Sequence, residues 1–172
     1  MPIVVCNTHR LLWHKFGWAD WKPFLSGICA FFGHRDTIIT PDLENKLESV
    51  VCDLIESGMN EFWCCEQGTF DWLSRTVMLR LKKSCPDIYI CYVLAYPCSK
   101  EKLKWIEEHF EIIYPEVVAS APRRFAITRR NTYIAENADI IVCYIDHPFG
   151  GAYKAIQTAK RHKKTIINLA KI

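Results

Sequence analysis

From residue 28 onward, short apolar runs alternate with stretches in which apolar side chains recur at helical spacing. Ile28–Phe32 is one continuous apolar run ending at Gly33, the pattern of a strand covered on both faces. Thr40 and Pro41 supply an N-cap and a first-turn proline. Behind them Leu43, Leu47, Val50, Val51, Leu54 and Ile55 keep the helical period until Gly58 stops it. Glu61–Cys65 reads as a second strand closed by Gly68, and Leu73, Val77, Met78 and Leu81 mark a helix ending before Pro86. Ile88–Ala95, rich in Ile, Tyr and Val, is a third strand. Ser99 caps a helix predicted through Phe110, and Pro122 opens another that runs to about Glu136. Asp139–Ile145 is a fourth strand, Gly150-Gly151 a turn, Tyr153–His162 a helix and Thr165–Ala170 a fifth strand.

This alternation predicts an α/β fold: a mostly parallel sheet of about five strands with helices on both faces, because parallel strands need crossover connections. Right-handed crossovers place every loop that follows a strand on one edge of the sheet. Ligands of such folds bind outside the carboxyl ends of the strands, near a topological switch point. Residues 28–172 form the predicted domain. Residues 1–27 stand outside the rhythm and hold Trp13, Trp18 and Trp21. Two readings of this N-terminal extension stay open: a segment that packs on the domain or on a partner, and a mis-assigned translation start. The second is favoured, since an atypical terminus is usually poorly tied down.

Half of the 172 residues are hydrophobic and 24% are charged, which suits one domain with a substantial core and excludes a disordered or low-complexity chain. The formal net charge is +3, and residues 28–172 carry 19 cations against 18 anions. That balance gives no strong nucleic-acid signature, although it can still serve a small anionic ligand. The nine cysteines contain no CxxC pair, so zinc ribbons and thioredoxin-like motifs lack their spacing. An odd count inside apolar runs fits a reducing compartment, and a cytoplasmic location is expected. No membrane segment is expected either: the longest apolar stretch, Ile88 to Tyr96, is too short, and basic residues interrupt the apolar start.

Four clusters fall at the predicted carboxyl edge. Gly33-His34-Arg35-Asp36 follows the first strand; its glycine lets backbone approach a ligand and its arginine can fork onto a phosphate or carboxylate. A solvated loop with Asp36 paired to Arg35 is the alternative. Glu66-Gln67-Gly68-Thr69-Phe70-Asp71 opens a helix, where backbone N–H groups favour anions and the carboxylates favour ribose hydroxyls. Here Asp71 could instead simply complement the helix dipole. Arg123, Arg124, Arg129, Arg130 and Asn131 follow; such a run is usually a solvated face, but Arg123, Ile127 and Arg130 share one side of a continuous helix. Asp146-His147-Pro148-Phe149-Gly150-Gly151 precedes the last helix, and paired glycines at a helix start suit a phosphate. Neither GxGxxG nor GxxxxGK[ST] occurs. A Cys–His nucleophile built from Cys64, Cys65 or Cys98 with His34 or His147 lacks an orienting group. No metal is expected: His34, Asp146 and His147 offer no ligand pair at fixed helical spacing.

The strings FFGHRD (31–36), EQGTFD (66–71), YVLAYPC (92–98), PRRFAITRRN (122–131) and YIDHPFGGA (144–152) occur in this order. Together they resemble the bacterial SLOG superfamily, in particular its small Firmicutes-type proteins akin to the DUF1273/YpsA group, over roughly residues 28 to 170. The resemblance implies a Rossmann-like sheet related to the phosphoribohydrolase fold, and a nucleotide-type ligand in place of any identified cofactor. It implies ligand binding by Gly33, His34 and Arg35, by Gln67, Gly68 and Asp71, by Arg130 and Asn131, and by Gly150 and Gly151, with Asp146 beside them. A homodimer is expected by the same analogy. The phosphoribohydrolase branch carries PGGxGTxxE, but here Ala152-Tyr153 follow the glycines and Gln157 stands in place of the Glu. An amide cannot act as a general base. The expectation is therefore a protein that binds or senses a nucleotide or nucleotide derivative. A nucleotide N-glycosidase, with Asp71 as its candidate catalytic group, is the alternative.

Overall fold

A computed structural model describes residues 27–171, so the expectations for the N-terminal extension fall almost wholly outside the described residues. The elements run β1 (Ile28–Gly33), α1 (Pro41–Glu56), β2 (Glu61–Cys64), α2 (Thr69–Ser84), β3 (Tyr89–Val93), α3 (Lys100–Glu107), β4 (Glu111–Ile113), α4 (Glu116–Ala119), α5 (Ala126–Asn137), β5 (Ile140–Tyr144), α6 (Gly150–Arg161) and β6 (Thr165–Asn168). The six strands form one sheet in the order β4-β3-β2-β1-β5-β6, and every pairing is parallel. The sheet has six strands where the sequence predicts five. The added strand, β4, is three residues on an edge, too short to present an alternation.

Successive strand residues serve opposite faces, which is why β1 reads as an unbroken apolar run. Cys29 and Phe31 join a core layer with α1, α2 and Ile106 of α3, whereas Ala30 and Phe32 join a second layer with α5 and α6. Thr40 caps α1 as its sequence predicts, its Oγ1 accepting from the Leu43 N–H at 3.2 Å, and Ser99 caps α3 from the Lys102 N–H at 3.3 Å.

Three helices differ from expectation, the first of them α3, which ends at Glu107 and not at Phe110. The helix opened at Pro122 is broken: Arg123–Phe125 is a 3₁₀ turn and α5 starts only at Ala126, so Arg123 leaves the face it was expected to share with Arg130. The last helix starts earlier, at Gly150, so the two glycines form its first turn and no separate turn precedes it. Gly150 has φ +92°, a conformation that other residues rarely adopt.

The chain reverses direction across the sheet between β1 and β5. Their register pairs Gly33 with Tyr144, so the loops starting at His34 and Ile145 leave the sheet side by side. This is the switch point at which a ligand cleft opens.

Candidate ligand site at the carboxyl edge

Close backbone packing shapes the first two loops. Any Cβ on Gly33 would overlap the Phe70 side chain, and one on Gly68 would lie 2.6 Å from the Arg35 Cα. The Thr69 N–H donates to the Arg35 carbonyl at 3.0 Å, the Thr69 Oγ1 to the Thr37 carbonyl at 2.7 Å, and the Arg35 Nε to the Gln67 carbonyl at 3.3 Å. These contacts tie the loops after β1 and β2 to each other.

These loops, α5 and the start of α6 enclose a pocket of about 310 Å³. Nine of the eleven residues expected to bind the ligand line it: Gly33, His34, Arg35, Gln67, Asp71, Arg130, Asn131, Gly150 and Gly151. Gly68 does not; it acts as the close-packed seat for Arg35. Asp146 does not line this pocket either; it lines a second pocket of about 360 Å³ together with Gln157, Lys160 and Lys171, its Oδ1 3.5 Å from the His34 Nε2. Gln157 thus lines a different pocket from Asp71 and Arg130. Phe149 also lines the first pocket and is 66% exposed; an aromatic residue ahead of paired glycines was its sequence signal, and sequence reasoning passed over it.

Of the four arginines at 123–130, only Arg130 is buried, at 1% exposure. Its Nε and Nη2 donate to the Asn131 Oδ1 at 3.2 and 2.8 Å, and its Nη1 has no hydrogen-bond partner among the described residues. Arg123 and Arg124 instead lie over the rings of Tyr96 and Phe125. An unmatched N–H on a buried cation costs free energy that an incoming acceptor would recover.

Asp71 is buried at 6% exposure and its Oδ2 accepts from the Gln67 N–H at 2.6 Å. Burial pushes its carboxyl above the usual range, while the charge of Arg130 and the Gln67 N–H pull the other way. Burial also lowers His34, and the nearby His147 adds to that effect against the pull of Asp146. The Cys65 thiol is pushed up to about 12 by burial, and Cys64 also rises well above its ordinary value. Neither is a nucleophile at neutral pH. Behind the pocket, Glu66 accepts from the Tyr92 hydroxyl at 2.6 Å and pairs with Lys102.

No protein-family model matches the chain, and no curated protein matches it. Among solved structures it is similar to DNA processing protein A from Helicobacter pylori, described for its single-stranded DNA binding mode. That match has a TM-score of 0.55 at 15% identity and covers 81% of this chain and 63% of the other. It is also similar to DNA processing protein A from Streptococcus pneumoniae, with a TM-score of 0.56 at 14% identity, over 81% of this chain and 49% of the other. The chain spans less than two thirds of either neighbour. Among the described residues, no helix is long and apolar enough to cross a membrane. At these identities the likeness is one of fold: the chain has the Rossmann-like α/β architecture of these proteins.

Proposed function

We propose that this chain binds or senses a nucleotide or nucleotide derivative at the carboxyl edge of its sheet, as a SLOG-type protein related to the DUF1273/YpsA group. One observation carries the reading. Arg130 is buried beside the first turn of α6 with an Nη1 that has no partner among the described residues. A phosphate would accept from that nitrogen and from the N–H groups at the Gly150-Gly151 helix start, where the dipole also favours an anion. Arg35 at the pocket adds a second cation, and Asp71 in its lining would accept from a ribose hydroxyl. Phe149, exposed beside the same pocket, offers a face on which a base can stack.

The test is calorimetry of the full chain with nucleoside mono- and diphosphates, alongside a short single-stranded oligonucleotide. Saturable, stoichiometric nucleotide binding supports the reading. Tight oligonucleotide binding with steep salt dependence and no nucleotide binding would replace it with the activity described for the Helicobacter pylori neighbour.

Asp71 favours a second reading, a nucleotide N-glycosidase. A buried carboxyl held above its ordinary range inside a pocket is suited to proton transfer. This reading expects release of free base from a nucleotide, abolished in Asp71→Asn with binding retained. An absence of turnover across a nucleotide panel removes it.

A further inference from the structure

The register that sets β1 against β5 brings together three donors that lie far apart in sequence. His34 follows Gly33 at the end of β1, and Asp146 and His147 follow β5 across the Gly33–Tyr144 pair. Their donor atoms lie within 4.8 Å of one another, the one such convergence of three His, Cys, Asp or Glu groups among the described residues. We propose that His34, Asp146 and His147 bind a divalent first-row transition metal ion where the loops after β1 and β5 meet.

The buried histidine carries the argument. His34 is 5% exposed, and its Nε2 has no hydrogen-bond partner among the described residues. The Asp146 Oδ1 stands 3.5 Å away, beyond good hydrogen-bond reach, and already meets the His147 Nδ1 at 2.6 Å. A hydrogen-bonded network would leave the His34 nitrogen orphaned in the wall of the pocket, whereas a metal ion satisfies all three groups together. Two donors at ordinary bond lengths on one tetrahedral ion stand roughly 3.4 Å apart, which matches the scale of this cluster.

His34 is held from behind. Its N–H donates to the Tyr144 carbonyl at 3.4 Å, and its own carbonyl accepts from the Thr37 N–H at 3.3 Å and the Thr37 Oγ1 at 2.8 Å. The two imidazole rings stack with centroids 3.4 Å apart and planes 13° from parallel. Parallel rings aim their lone pairs side by side, so convergence needs a turn of the His147 side chain. At 29% side-chain exposure, that residue has room to make it. Two imidazoles and one carboxylate suit Zn²⁺, Co²⁺ or a similar ion and would leave a coordination position free.

The inference does not depend on nucleotide binding, and its test uses metal alone. The full chain, stripped with chelator and kept reduced, is titrated with Co²⁺ by absorption and with Zn²⁺ by calorimetry. One equivalent is expected, with visible d–d bands and no thiolate-to-cobalt charge-transfer band, which separates this site from the cysteines. His147→Ala and Asp146→Asn, both at solvent-accessible positions, are expected to weaken binding by about tenfold or more, and His34→Ala to abolish it. No saturable binding below millimolar metal would overturn the proposal. So would a thiolate band, or affinity unchanged in His147→Ala and Asp146→Asn.

Discussion

The Asn131 side-chain oxygen accepts two hydrogen bonds from Arg130, through Nε at 3.2 Å and Nη2 at 2.8 Å, and the remaining guanidinium nitrogen is left to the pocket. The pair is a neutral amide steering a cation, so this contact does not neutralise the guanidinium. Asn131→Ala removes the steering and is expected to weaken nucleotide binding by about fivefold, the worth of about 1 kcal/mol. Asn131→Asp places an anion against the same guanidinium and is expected to weaken it further. Calorimetry on both variants checks the order, and an Asp variant that binds as well as wild type would contradict an anion site.

Glu66 gives the fold a pH dependence with a definite sign. Burial raises its carboxyl, but the hydrogen bonds and charge of Lys102 and the Tyr92 hydroxyl outweigh burial and hold it below the ordinary value of 4.5. A carboxyl depressed in the folded state stabilises the fold above its unfolded pKa, and that contribution is lost as pH falls through the folded value. Glu66→Gln is therefore expected to be less stable than wild type at neutral pH. The gap should close as the pH drops below 4.5. Denaturant melts across pH measure it, and a gap independent of pH would exclude the ionic origin.

Gly33 is fixed by contact, not by conformation. Because a Cβ would overlap Phe70, Gly33→Ala is expected to destabilise the fold by about 2 kcal/mol and lower Tm by roughly 4–8 °C. A variant that melts with the wild type would show that Phe70 can yield.

The cysteine chemistry is also checkable. Cys64 and Cys65 are buried and their thiols are raised, Cys65 to about 12, so neither should alkylate in the native protein at pH 8. Both should react in denaturant. Mass spectrometry after iodoacetamide reads the result directly, and native labelling of Cys65 would reopen the nucleophile reading.

The strands were legible because burial on both faces writes each as an apolar run, and β1 shows this in four consecutive buried residues. β4 was not, since three partly exposed edge residues carry no period. The spacing also placed Arg130 on a helix face with Ile127, and the fold buries that arginine while leaving Arg129 exposed. What local pattern could not supply was the meeting of distant loops. His34 and His147 stack only because β1 and β5 pair in one register. Likewise, the Asn168 side chain closes the β5 loop, accepting from the Ile145 N–H at 3.0 Å and donating to its carbonyl at 2.8 Å, with no sequence signal to announce it.

The most direct test of the central claim compares Arg130→Ala with Arg161→Ala, a cation on α6 that does not line the Arg130 pocket. Nucleotide affinity of both is measured by calorimetry against wild type. The account predicts a loss of about tenfold or more in Arg130→Ala, the scale of one charge-assisted hydrogen bond, and less than about twofold in Arg161→Ala. Equal affinities in the two variants would contradict the placement of the ligand's phosphate on Arg130.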